Sequence, residues 1–171
     1  IKRPSKAIQA AKQRVLYILG SRDLAAGRVN QALDRFKASK ALADNNRAIA
    51  NECDLWIGDC YYRLGDYARA SSSLNSYLKN CGATASNRPL AYYDLGYSRF
   101  AEKRYADART DFERVVKTPG DLSDQLVADA YNRIGDCYYY SSDFGKAAAN
   151  YDRAYDLNPS AGDYALFQKA M

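Results

Sequence analysis

Four glycines set in register constrain this chain more than any other feature. Gly20, Gly58, Gly96 and Gly135 each follow an apolar residue (Leu19, Ile57, Leu95, Ile134), at separations of 38, 38 and 39 residues. Twelve residues after each glycine stands an alanine (Ala32, Ala70, Ala108, Ala147), and four residues later a bulky side chain (Phe36, Leu74, Phe112, Tyr151). Three landmarks aligned over four copies mark a tandem repeat, and a period of this length belongs to stacked units of two elements each.

Apolar residues recur at three- and four-residue intervals within each copy, which is helical spacing. The stretches 6–26, 29–43, 47–64, 67–79, 90–103, 105–117, 125–141 and 144–157 read as helices. Gly27, Asp44-Asn45-Asn46, Gly65-Asp66, Thr118-Pro119-Gly120 and Asn158-Pro159 separate them, and residues 80–89 form a polar loop. Pro4 and Ser5 suit a helix start, as does Ser123 or Asp124. The expected fold is all-α, a solenoid of antiparallel helix pairs. Its units are 6–43, 47–80, 90–118 and 124–159, with 161–171 a partial unit or a capping helix. Each glycine removes a side chain where the helices of one pair approach, and each alanine does so from the facing helix. A lone pair cannot bury its apolar stripe, so the units stabilise one another in series.

Charge is unevenly placed. The net charge is +5, but residues 1–40 carry ten Lys/Arg against two Asp, leaving −3 for the remainder. Lys2, Arg3, Lys6, Lys12 and Arg14 could meet an anionic surface, or could simply be a solvated helix face. No apolar run is long enough to span a bilayer. The chain begins at Ile1, as a fragment or processed product would.

Cys53, Cys60, Cys81 and Cys137 show no CxxC spacing, and the chain has no histidine. Free, packed cysteines are therefore expected, with no metal and no cofactor. Catalysis is poorly supported without a histidine, a phosphate-cradling glycine loop or a nucleophile elbow. Asp59 and Asp136 occupy matching places, but solvated helix carboxylates explain them as well as an acid/base pair does.

The landmark residues resemble the tetratricopeptide repeat family, whose pattern is an aromatic, Leu-Gly, a tyrosine, an alanine, an aromatic and a closing proline. Tyr131, Ile134, Gly135, Tyr138, Ala147, Tyr151 and Pro159 follow that pattern most fully, and Tyr92 matches its start in the third copy. Leu16 and Asp54 depart from it at the first position, and Asp23 and Arg99 replace the tyrosine after the glycine. The lengthened period resembles that of bacterial cell-envelope members, including outer-membrane assembly lipoproteins, and residues 126–167 look like parts of long multi-repeat proteins of Bacteroidetes. That likeness leans towards the periplasm or outer membrane, whereas four unpaired cysteines lean towards a reducing cytosol.

The resemblance implies a right-handed superhelix, with the first helix of each pair lining its concave face. The inward positions would then be Leu55, Asp59 and Tyr62, then Tyr93, Tyr97 and Phe100, then Asn132, Asp136 and Tyr139, flanked by Trp56, Arg63 and Arg133. Such a tyrosine-rich groove suits an extended or helical peptide of a protein partner. No nucleic acid is expected. The family members that clamp a chaperone's terminal carboxylate use Lys and Asn at these positions. Asp59 and Asp136 here would repel that carboxylate. Two readings remain open, an interaction scaffold or a structural spacer within a longer solenoid.

Overall fold

The computed structural model describes residues 4–118 and 120–161, together with Tyr164, Phe167, Gln168 and Ala170. Among these residues the fold is all-helical: α1 Lys6–Ala25, α2 Val29–Lys40, α3 Arg47–Arg63, α4 Tyr67–Asn80, α5 Arg88–Ala101, α6 Tyr105–Lys117, α7 Asp124–Tyr140 and α8 Phe144–Leu157. A 3-10 turn, Pro159–Ala161, follows α8. Lys2 and Arg3 of the basic end, and most of the cap or partial unit at 161–171, lie outside the described residues.

Side chains fix most helix starts. Ser5, Asn46, Asp66, Ser123 and Asp143 each accept a hydrogen bond from the backbone N–H three residues on, satisfying a donor that the helix itself leaves open. Helix α5 starts at Arg88, two residues earlier than expected, because Pro89 fits its first turn.

The chain forms two compact units, Ile1–Gly82 and Ala83–Met171. In the first, α1 packs on α2, α2 on α3, and α3 on α4, and α1 also touches α3. In the second, α5 packs on α6, α6 on α7, and α7 on α8. Each unit is thus two helix pairs joined by the second helix of one pair lying against the first helix of the next.

The register of the sequence becomes a single repeated contact. A Cβ added to Gly20 would lie 2.9 Å from the Phe36 ring, to Gly58 2.6 Å from Leu74, to Gly96 2.8 Å from the Phe112 ring, and to Gly135 2.5 Å from the Tyr151 ring. All four bulky partners and the four alanines are buried. The large residue therefore sits in the space its own pair's glycine vacates, rather than only filling the groove between successive pairs.

The two places without the repeat's tyrosine are filled by ion pairs. Buried Asp23 meets Arg28 at 2.6 Å and Arg35 at 2.8 Å. Arg99 meets buried Asp111 at 2.6 Å. Where the tyrosine is present, cations cover it. Lys37 and Arg69 lie over the Tyr61 ring at 5.0 and 4.8 Å, and Arg109 and Lys146 over Tyr138 at 4.6 and 5.3 Å. Asp54, standing where the repeat begins with an aromatic, is buried against Lys40 (2.5 Å) and Ser76 (2.9 Å).

Candidate functional site: the face of the first helices

In Ile1–Gly82 two of the expected flanking residues, Trp56 and Arg63, reach a small cavity, whereas Leu55, Asp59 and Tyr62 are not among its lining residues. Helix α3 brings Trp56 and Arg63 to a space of about 390 Å³, closed on the other side by Ser21, Leu24 and Ala25 of α1. The indole Nε1 of Trp56 donates to the Tyr17 hydroxyl at 3.0 Å, which fixes the ring. Arg63 is held one helical turn from Asp59, its Nε donating to both carboxylate oxygens at 2.9 and 3.1 Å. The lining is mostly apolar, with the Ser21 hydroxyl and the Arg63 guanidinium as its polar groups, a composition typical of small-ligand and side-chain pockets. Ser21 and Leu24 were absent from the expected groove residues. The offsets that gave Asp59 and Tyr62, one and four residues after the glycine, yield these two when counted from Gly20.

In Ala83–Met171 the same face is a hydrogen-bonded network. The Tyr93 hydroxyl donates to Asp129 Oδ2 at 2.9 Å, and the Tyr97 hydroxyl donates to the same oxygen. The Arg133 guanidinium lies 3.7 Å from Asp129 and 2.6 Å from Asp136. Tyr151 and Tyr164 both donate to Asp136 Oδ1 at 2.8 Å, and Arg133 also lies over the Tyr164 ring at 4.8 Å. Burial drives the Tyr93 and Tyr97 phenols well above the usual range, reinforced by the Asp129 charge. Burial likewise raises the Asp136 carboxyl, which Arg133 only partly offsets.

Three expected groove residues are corrected by the structure. Leu55, Asn132 and Asp136 are buried. A leucine on this face gains more from packing than from lining a wet groove. Asp136 is not a solvated carboxylate, because two phenols and a guanidinium enclose it. Asn132 Oδ1 is buried without a hydrogen-bond partner. Asp59, Trp56, Tyr62, Tyr93, Tyr97, Phe100, Arg133 and Tyr139 are half-buried, and Arg63 is exposed. Tyr93 and Tyr97 also serve as struts between α5 and α7. Asp129, which joins them, carries no signal in the sequence, since its acceptor role depends on where α5 lies.

None of the four cysteines is in a disulfide, and Cys53, Cys60 and Cys137 are buried. Among the described residues no group of three or more metal-ligating side chains comes together, and no helix is long and apolar enough to cross a membrane.

Solved structures share this architecture. MamA 41-end from Desulfovibrio magneticus RS-1 is 26% identical, with a TM-score of 0.73 over 90% of this chain and 79% of that one. YrrB, described as a TPR protein with an unusual peptide-binding site, is 21% identical, with a TM-score of 0.74 over 93% of this chain and 75% of its own. BtubC from P. vanneervenii reaches 0.76 at 16% identity, over 94% and 67%. At those identities the latter two speak for the fold alone. No curated protein matches the chain in sequence. Residues 93–162 match a model described as Tetratricopeptide repeat, and residues 52–82 match a second model of the same description. Both models fall on observed helix pairs, so residues 52–82 and 93–162 carry tetratricopeptide repeats.

Proposed function

We propose that this chain is a non-catalytic interaction module that holds a peptide segment of a partner protein on the face of its first helices. The observation that carries this reading is the cavity of about 390 Å³ beside Trp56. It would take one apolar side chain of the segment, while Arg63 in its lining, and Asp59 bonded to Arg63, would meet polar groups of the peptide. A rigid aromatic supplies contact area at low entropic cost, and interfaces concentrate their affinity at such anchors. Tyr62 would extend the contact. The family's usual role, and the description of YrrB as a peptide binder, point the same way.

Trp56 is the single tryptophan of the chain, so its fluorescence reports this cavity directly. Peptides selected from a random display library against the chain are expected to shift Trp56 emission. Ala25→Phe, at an exposed position that lines the cavity and leaves Trp56 the single tryptophan, is expected to weaken them at least tenfold with the melting temperature preserved. If selected peptides neither shift the emission nor respond to Ala25→Phe, the face is not the site. Failure to select any peptide would favour the spacer reading, which the Asp129 network also supports by committing Tyr93 and Tyr97 to internal bonds.

A further inference from the structure

The third helix pair is built differently from its neighbours. Helices α3 and α7 begin eleven residues before their glycines, at Arg47 and Asp124, whereas α5 begins at Arg88, eight residues before Gly96. The repeat length is unchanged, so almost one helical turn is replaced by the loop ahead of Arg88. A cleft of about 610 Å³ lies between that loop, the start of α5 and the end of α6.

The charge in this cleft runs against its surroundings. Residues 83–171 hold eleven Lys/Arg against thirteen Asp/Glu. The cleft nevertheless gathers Arg88, Arg114 and Lys117 against a single carboxylate, Asp121. The carboxylates paired with Arg114 and Lys117 are each shared with a second cation. Asp111 serves Arg99 (2.6 Å) as well as Arg114 (3.1 Å). Glu113 serves Arg109 (3.6 Å) as well as Lys117 (3.8 Å). Half of the Arg114 side chain and 72% of the Lys117 side chain stay exposed. Tyr92 organises the two guanidiniums, with Arg88 and Arg114 over its ring at 5.4 and 5.1 Å and Arg88 Nη2 donating to its hydroxyl at 3.1 Å.

We propose that this cleft is a binding site for a phosphate monoester, carried by a small molecule or by a phosphorylated side chain. A phosphate dianion matches the net charge of the lining. Arginine forks recognise its oxygens with paired N–H donors, and lysine adds a mobile point charge. The volume exceeds that of the phosphate, leaving room for the group that carries it. This site is independent of the Trp56 cavity.

Isothermal titration of the full chain at low salt, with inorganic phosphate, O-phosphoserine and O-phosphotyrosine as probes, tests it. The expected result is saturable one-to-one binding, weakened at least tenfold by Arg114→Gln combined with Lys117→Gln. Equal affinity for all three probes assigns free phosphate as the source, and tighter binding of a phosphoamino acid assigns a modified side chain. Lys117→Glu alone, at an exposed side chain, makes the same test without disturbing Asp111. No saturable binding, or binding that Lys117→Glu leaves unchanged, overturns the proposal.

Discussion

Gly135 and Tyr151 show how little freedom the repeated contact allows. Tyr151 is almost wholly buried and its hydroxyl is tied to Asp136, so its ring cannot swing away from an added methyl. Gly135→Ala gains about 1 kcal/mol of helix propensity. Overpacking a closed site costs about 1–3 kcal/mol, and here the virtual Cβ lies 2.5 Å from the ring. The net effect is expected to be destabilising, and larger than for Gly20→Ala against the hydroxyl-free Phe36. Urea denaturation of the two variants checks the order. Asp111 offers a test by pH. Its burial pushes the carboxyl up to about 6 from 3.8, against the pull of Arg99 and Arg114. A folded-state value raised in this way gives stability that is full below pH 3.8 and lost as pH rises through about 6. Relative to Asp111→Asn, which does not titrate, the wild type should therefore gain up to roughly 3 kcal/mol between pH 7 and pH 4. A stability difference that stays flat or moves the other way would refute the assignment.

Each helix pair turns through one residue in the left-handed region, always seven after the glycine. Gly27 (φ 73°), Gly65 (77°), Lys103 (61°) and Ser142 (62°) hold these positions. A side chain there is strained by about 1 kcal/mol, and glycine is the usual occupant after a helix end. Lys103→Gly and Ser142→Gly are each expected to raise the melting temperature by a few degrees, which calorimetry would detect. The same turns are stapled by aromatics, Tyr62 on Tyr67 at 5.7 Å, Phe100 on Tyr105 at 5.2 Å and Tyr139 on Phe144 at 5.4 Å. At this scale much was legible beforehand. All eight helices start and stop within three residues of the expected ends, because helical periodicity and turn residues are local signals. The buried carboxylates Asp23, Asp54, Asp111 and Asp136 were not. An aspartate in an amphipathic helix looks solvated until another helix brings it a cation or a hydroxyl donor. The cavity at Trp56 was half legible, since its α3 residues Trp56 and Arg63 were expected only as flanks of the groove and its α1 side needed the repeat offsets carried to the first copy.

Tyrosine dominates the chemistry of the whole chain, with 16 residues against five phenylalanines. Burial raises the phenols of Tyr77, Tyr93, Tyr97 and Tyr151 far above their ordinary 10, and neighbouring carboxylates add to the effect. Each such group contributes stability that is complete below pH 10 and lost as pH rises beyond it. The protein is therefore expected to unfold cooperatively at alkaline pH. Tyrosinate absorbance should rise in a step that coincides with loss of helical circular dichroism, whereas a smooth titration in a folded protein would contradict the buried network. The thiols give a gentler probe of the same packing. Burial pushes Cys53 up to about 11, and Cys60 and Cys137 up to about 12. Mass spectrometry after alkylation at pH 8 should find Cys81 modified first, and the other three only when their helices open.

The shortened start of α5 has a wider consequence. A stacked array is usually diversified by changing side chains on a fixed frame, or by adding and deleting whole units. Here α5 starts nearly a turn late while its repeat keeps its length, and a cleft lies beside the loop that takes the place of that turn. Any copy in such an array could be hollowed in this way independently of the others. A protein that serves as a frame for partners can thereby acquire recognition chemistry one unit at a time.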